Sequence, residues 1–176
     1  MHTSADIGLA ETIISQPAVF AALVFGSLVF GVLAVVLAGW AGWSRSAAGL
    51  VGVGLALALS VTLVRPGSHA IGSEHPLSAC LRGSFSLLGS QQVLNFVMLM
   101  PFAFFAATAT RRPIVISLLC AMISAGIELT QSITGIGVCE ESDWLNNTIG
   151  AVLAALLGWA LSSANRPRVT RDRLGT

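Results

Sequence analysis

The sequence predicts an all-α, polytopic membrane protein of about five transmembrane helices. Three observations carry that reading. Hydrophobic residues make up 55% of the 176-residue chain and charged ones only 10%, where a soluble domain carries about 25% charged residues. Mean hydropathy is +0.83. The apolar residues are gathered into five runs, each near the ~20 residues that a spanning helix needs. A net charge of +1 gives no reason to expect nucleic acid as a partner. Membrane lipids are the expected surroundings.

The first run extends from about Pro17 to Trp40. No Lys or Arg precedes it, so it lacks the charged n-region of a signal peptide and is expected to be retained. The second runs from about Ala47 to Val64, the third from Val93 to Thr110, the fourth from Pro113 to Thr134 and the fifth from Asn147 to Ser163. In hydrocarbon every backbone polar group must be satisfied within the segment, so all five are read as helices. Pro101 lies inside the third. It lacks an N–H, frees the carbonyl of Val97, and should kink that helix.

All nine basic residues are arginine. With alternating helices, Arg45, Arg111, Arg112, Arg166, Arg168, Arg171 and Arg173 share one side, against Arg65 and Arg82 on the other. The positive-inside rule puts the seven in the cytoplasm of a multi-pass plasma-membrane protein, with the N-terminus outside and the C-terminus inside. The 65–90 loop and the 135–146 turn are then outside. Trp40 and Trp43 are expected at the inner interface and Trp144 at the outer one.

The outer loops hold the residues that raise metal and redox questions. His69, Glu74 and His75 match no standard metal spacing, so no metal site is assigned and no cofactor is expected. Cys80 and Cys139 both fall in outer loops, in an oxidising compartment, and are the candidate disulfide. Cys120 falls inside the fourth helix and reads as a small apolar residue.

The chemistry gathers at the outer ends of helices three to five. Glu128 stands in an apolar run, where a carboxylate costs about 2.5–3.5 kcal/mol on insertion scales. Ser117, Ala121, Ser124, Glu128, Gln131 and Ser132 share one helical stripe. Ile114, Leu118, Ile123 and Ile127 are expected on the opposite side. Six residues separate Glu128 from Thr134, a depth of roughly 9 Å. Asn95, Glu128, Gln131, Asp143 and Asn147 are therefore all expected at outer-leaflet depth and are the candidate ligand-binding residues. Gly150, Ala154 and Gly158 form a small-residue seam on the stripe that Asn147 begins.

These residues form an ordered set: Asn95 and Pro101 in helix three, Glu128-x-x-Gln131 in helix four, then Asp143-x3-Asn147-x2-Gly150 leading into helix five. The set resembles the VanZ-like family of bacterial membrane proteins over about residues 92–160. Where many members carry an arginine shortly before the aspartate, this chain has Gly137 and Val138. The resemblance divides the chain into an N-terminal two-helix part with its long outer loop (1–92), a VanZ-like core (93–163) and a basic cytoplasmic tail (164–176). It implies a role at the cell envelope, since the family's namesake is associated with teicoplanin resistance. It implies no enzyme reaction.

Three functions are weighed. The cluster is read first as an outward-facing site for the polar headgroup of an envelope lipid or the lipid-anchored part of a glycopeptide, modulating antibiotic susceptibility. The alternatives are a membrane-embedded hydrolase or transferase with Glu128 as general base, or a structural accessory subunit in which the polar residues only join helices. The chain has no lysine, and neither a nucleophile nor a phosphate cradle accompanies Glu128, so binding is favoured over catalysis. A neutral amide would join helices at lower cost than a glutamate, which favours function over glue.

Overall fold

A computed structural model describes residues 12, 15–64, 85, 87–134 and 141–164. Six α-helices follow in order: α1 (Pro17–Ala41), α2 (Arg45–Leu63), α3 (Ser90–Met98), α4 (Met100–Thr110), α5 (Pro113–Thr134) and α6 (Glu141–Ala164). There is no strand among the described residues. Taking α3 and α4 together, five helical segments are long and apolar enough to cross a membrane. The all-α, five-span expectation holds.

Local chemistry explains the ends. Pro17 opens α1 at a position where its missing N–H costs nothing. Gly42 closes α1 in the left-handed conformation (φ 69°), and the Gly42 and Trp43 amides return to the Ala38 carbonyl. Arg111 takes the same left-handed position after α4 (φ 60°), its amide bonding to the Ala107 carbonyl at 2.8 Å. Pro113 then starts α5.

Two elements differ from the sequence expectation. The third span begins at Ser90, and its helical bonding is interrupted at the single residue Leu99, whose backbone stays in the right-handed helical region (φ −88°, ψ −5°), which is where the irregularity expected from Pro101 falls. Pro101 falls in the first turn of α4, where its ring is tolerated; continuing one helix through it would have left the Val97 carbonyl without its amide donor. The fifth span begins at Glu141, six residues before Asn147, so residues 141–146 are helix and do not belong to the turn. Asp143 lies in the first turn, where a carboxylate is favoured by the exposed amides and the helix dipole. Polarity alone had suggested a loop.

Glycine sets how closely the helices approach. A Cβ on Gly52 of α2 would fall inside the α1 backbone at Phe30–Gly31, and one on Gly54 would lie 2.6 Å from the Phe102 amide nitrogen of α4. On α6, Gly150 and Gly158 meet the Phe96 and Phe104 carbonyls in the same way. Those two pairs advance by equal steps along both chains, so α3 and α4 run parallel to α6. Thr108 adds a polar tie, its hydroxyl shared between the carbonyls of Phe104 (2.8 Å) and Gly158 (3.3 Å). Helix α4 occupies the middle: Leu99 before it, then Ala103 and Ala107, are fully buried and pack with Ala151, Ala154 and Ala155 of α6. Small residues let membrane helices approach this closely. Helix α1 packs on α2 and otherwise presents an apolar surface suited to lipid, with Phe25 70% and Trp40 86% exposed.

Candidate functional site

The buried polar side chains gather mainly on α5 and α6. Ser124 and Glu128 of α5, and Asp143, Asn146 and Asn147 of α6, are all buried. Helical spacing explains the convergence. Ser124 and Glu128 are one turn apart, and Asp143, Asn146, Asn147 and Gly150 fall on one stripe of α6. Gly150 holds that stripe against α3. One direct bond across the helices runs from Asn147 Nδ2 to Ser124 Oγ at 3.1 Å. Glu128 is 6% exposed, which places its carboxylate inside the bundle and away from lipid.

The other candidates line the rim. Gln91, on the first turn of α3, donates to Asp143 Oδ2 at 3.4 Å. Gln131 donates to the Thr62 carbonyl of α2 at 3.3 Å, so its amide ties α5 to α2 and makes no described bond to α6. Asn95 is half-buried on α3. The α3–α6 register set at Phe96 and Gly150 puts it at the height of Ile149 on α6. The Nδ2 of Asn95, the Oδ1 of Asn147 and the Oγ1 of Thr148 are fully buried without a hydrogen-bond partner.

Three points go beyond the sequence reading. On the side of α5 that carries Ile114, Leu118, Ile123 and Ile127, suited to lipid or to a neighbour, Ile127 is buried and Ile123 packs against the core, while Ile114 and Leu118 are exposed. The bundle wraps further round α5 because α4 and α6 both touch it. Trp144, expected in an interfacial belt, is half-buried, and its indole N–H donates to the Ala121 carbonyl of α5 at 3.0 Å. An indole at membrane depth needs such a partner. Gln91, Asn146 and Thr148 were not singled out, although the stripe at 143, 146, 147 and 150 would have found Asn146 had the helix been started at 141. His69, Glu74 and His75, to which no metal site was assigned, and the candidate disulfide of Cys80 and Cys139 lie outside the described residues.

A helical bundle with five spanning segments and a buried acid–amide cluster between two of them defines a multi-pass integral membrane protein. The model of the VanZ/LLP1 family matches residues 68–162, more than half of the chain. The protein belongs to that family, as the ordered set from Asn95 to Gly150 had indicated, and every residue of the set falls inside the match. No curated protein and no solved structure matches the chain.

Proposed function

We propose that this VanZ-family protein binds the polar headgroup of an envelope lipid, or the lipid-anchored part of a glycopeptide, in the cluster around Glu128, and thereby modulates susceptibility to glycopeptide antibiotics such as teicoplanin. The observation that carries the reading is the burial of Glu128 beside the Ser124–Asn147 bond. Intramembrane ionisable groups are costly and mark sites more often than packing. Amides alone would have joined α5 to α6.

The test is lipid retention. The purified protein should carry a headgroup-specific lipid, and its expression should lower teicoplanin susceptibility. Asp143→Asn keeps the shape and an acceptor for Gln91 but removes the charge. It is expected to lower the retained lipid about tenfold or more, since hydrogen bonds to charged groups contribute about 1.5–3 kcal/mol. Unchanged lipid content in a folded Asp143→Asn protein would count against the site.

The proposed orientation has the N-terminus and the Glu128 end outside. The described arginines, Arg45, Arg111 and Arg112, all stand at the other end of the bundle, as the positive-inside rule requires of a cytoplasmic face. In a background with Cys80 and Cys139 replaced by serine, Gly8→Cys should react with an impermeant maleimide on intact cells. Asp172→Cys should react only after permeabilisation. The opposite pattern would invert the orientation.

A further inference from the structure

The whole link between α4 and α5 is Arg111–Arg112, since α4 ends at Thr110 and α5 begins at Pro113. Local bonds fix the backbone of this corner. The Arg111 amide donates to the Ala107 carbonyl at 2.8 Å, the Arg112 amide to Thr110 Oγ1 at 3.3 Å, and the Ile116 amide to the Arg112 carbonyl at 3.1 Å. The Thr110 hydroxyl donates in turn to the Ala106 carbonyl at 2.8 Å. Both arginine side chains are exposed. Among the described residues neither guanidinium has a hydrogen bond or an ion pair.

Both arginines stand where the backbone argues against them. Arg111 has φ 60° and is the one non-glycine residue with positive φ among the described residues. Glycine fills the same position after α1, at Gly42. Arg112 comes just before α5, where the helix dipole disfavours a cation. The positive-inside rule asks for basic residues on a side of the membrane, but it does not require them at these two positions.

The corner lies at the depth of lipid phosphates. Arg45 and Arg111 each stand nine residues from the contact of Gly54 with Phe102, about 14 Å along either helix, so they share one level. The exposed tryptophans Trp40, Trp43 and Trp159 are at this end of the bundle, and exposed indoles mark a membrane interface. The described acids, Glu128, Glu141 and Asp143, are all at the other end. A phosphate oxyanion only accepts hydrogen bonds, and a guanidinium only donates them, in a fork that fits two oxygens.

We propose that the Arg111–Arg112 corner binds the phosphodiester of an anionic phospholipid in the leaflet at this end of the bundle. The site is independent of the cluster around Glu128, which lies at the opposite end. Arg45 shares the level but not the site. Its guanidinium lies along α1, with Nη2 3.4 Å from where a Cβ on Gly39 would stand.

The experiment uses the full chain in a maltoside detergent. Phosphatidylglycerol, phosphatidylcholine and diacylglycerol of matched acyl chains are added in equal amounts, and retention is read by native mass spectrometry. Phosphatidylglycerol is expected in about twentyfold excess over diacylglycerol and above phosphatidylcholine, since each arginine near an anionic lipid contributes about fivefold. Arg112→Gln should lower its retention about fivefold. Arg111→Gly should do the same with a level or higher thermal midpoint, because glycine suits the left-handed backbone. Arg111→Asn serves if glycine loosens the corner. The double variant should lose about twentyfold, and Arg45→Gln less than twofold. Unchanged phosphatidylglycerol retention in the folded double variant overturns the proposal. Equal losses from Arg45→Gln and Arg112→Gln overturn it in favour of diffuse surface charge. Equal retention of phosphatidylcholine and phosphatidylglycerol overturns the preference for an anionic lipid. Displacement of phosphatidylglycerol by equimolar glycerol phosphate overturns the lipid as the source of the phosphate.

Discussion

Gly150→Val is expected to leave little or no folded protein. A Cβ at Gly150 falls on the Phe96 carbonyl and lies 2.9 Å from its carbon, so the obstacle is backbone and cannot turn aside as a side chain would. Overpacking a core costs typically about 1–3 kcal/mol. Valine should exceed that range here, because α3 must leave α6 for the side chain to fit. Gly150→Ala sets the same Cβ against the same carbonyl, so its cost is expected at or above the top of that range, with valine worse. Gly126→Ala is the control. Gly126 is exposed on α5 with nothing within 4 Å of its added Cβ, and alanine is about 1 kcal/mol better than glycine in a helix. Fluorescence-detected gel filtration and thermal midpoints should rank the variants Gly126→Ala, wild type, Gly150→Ala, Gly150→Val. A stable Gly150→Val protein would mean that α3 is not held against α6 as described.

The same residue shows what a sequence can and cannot reveal about a membrane bundle. The small-residue seam of Gly150, Ala154 and Gly158 is legible, because close approach needs small side chains whatever the partner. The partner is not legible: nothing in the sequence says that Phe96 and Phe104 lie opposite. Span positions are equally plain from hydropathy, and α5 falls on the expected residues 113–134. The start of α6 is not, because Glu141, Ser142 and Asp143 are as suited to a first helical turn as to a loop. That one ambiguity hides the stripe that buries Asn146. The partner of Trp144 is hidden for a related reason. Composition marks tryptophan as interfacial, but nothing in the sequence points its indole at the Ala121 carbonyl. Glu128 could be placed on the inner side of α5 from its cost alone. The full inner face could not, because Ile123 and Ile127 are as welcome in lipid as in the core.

Glu128→Gln is expected to remove lipid retention and the effect on teicoplanin susceptibility while leaving the bundle folded. Glutamine keeps the length and the hydrogen-bonding capacity of the side chain but cannot carry a negative charge. The position is buried on the stripe of Ser124, which Asn147 binds from α6, so a change in charge there acts inside the cluster. If the carboxylate binds a donor-bearing headgroup, the loss should exceed about tenfold, as for other hydrogen bonds to a charged group. If it only joins helices, the outcome has the opposite sign. Polar pairs in membrane bundles contribute about 0.6 kcal/mol on average, and removing a buried charge relieves its desolvation cost. Glutamine would then be neutral or stabilising, with lipid content and susceptibility unchanged. The thermal midpoint alone cannot separate the two roles, since both allow it to stay level or rise. Lipid content and susceptibility can, and a folded Glu128→Gln protein that retains both would reduce Glu128 to a helix contact.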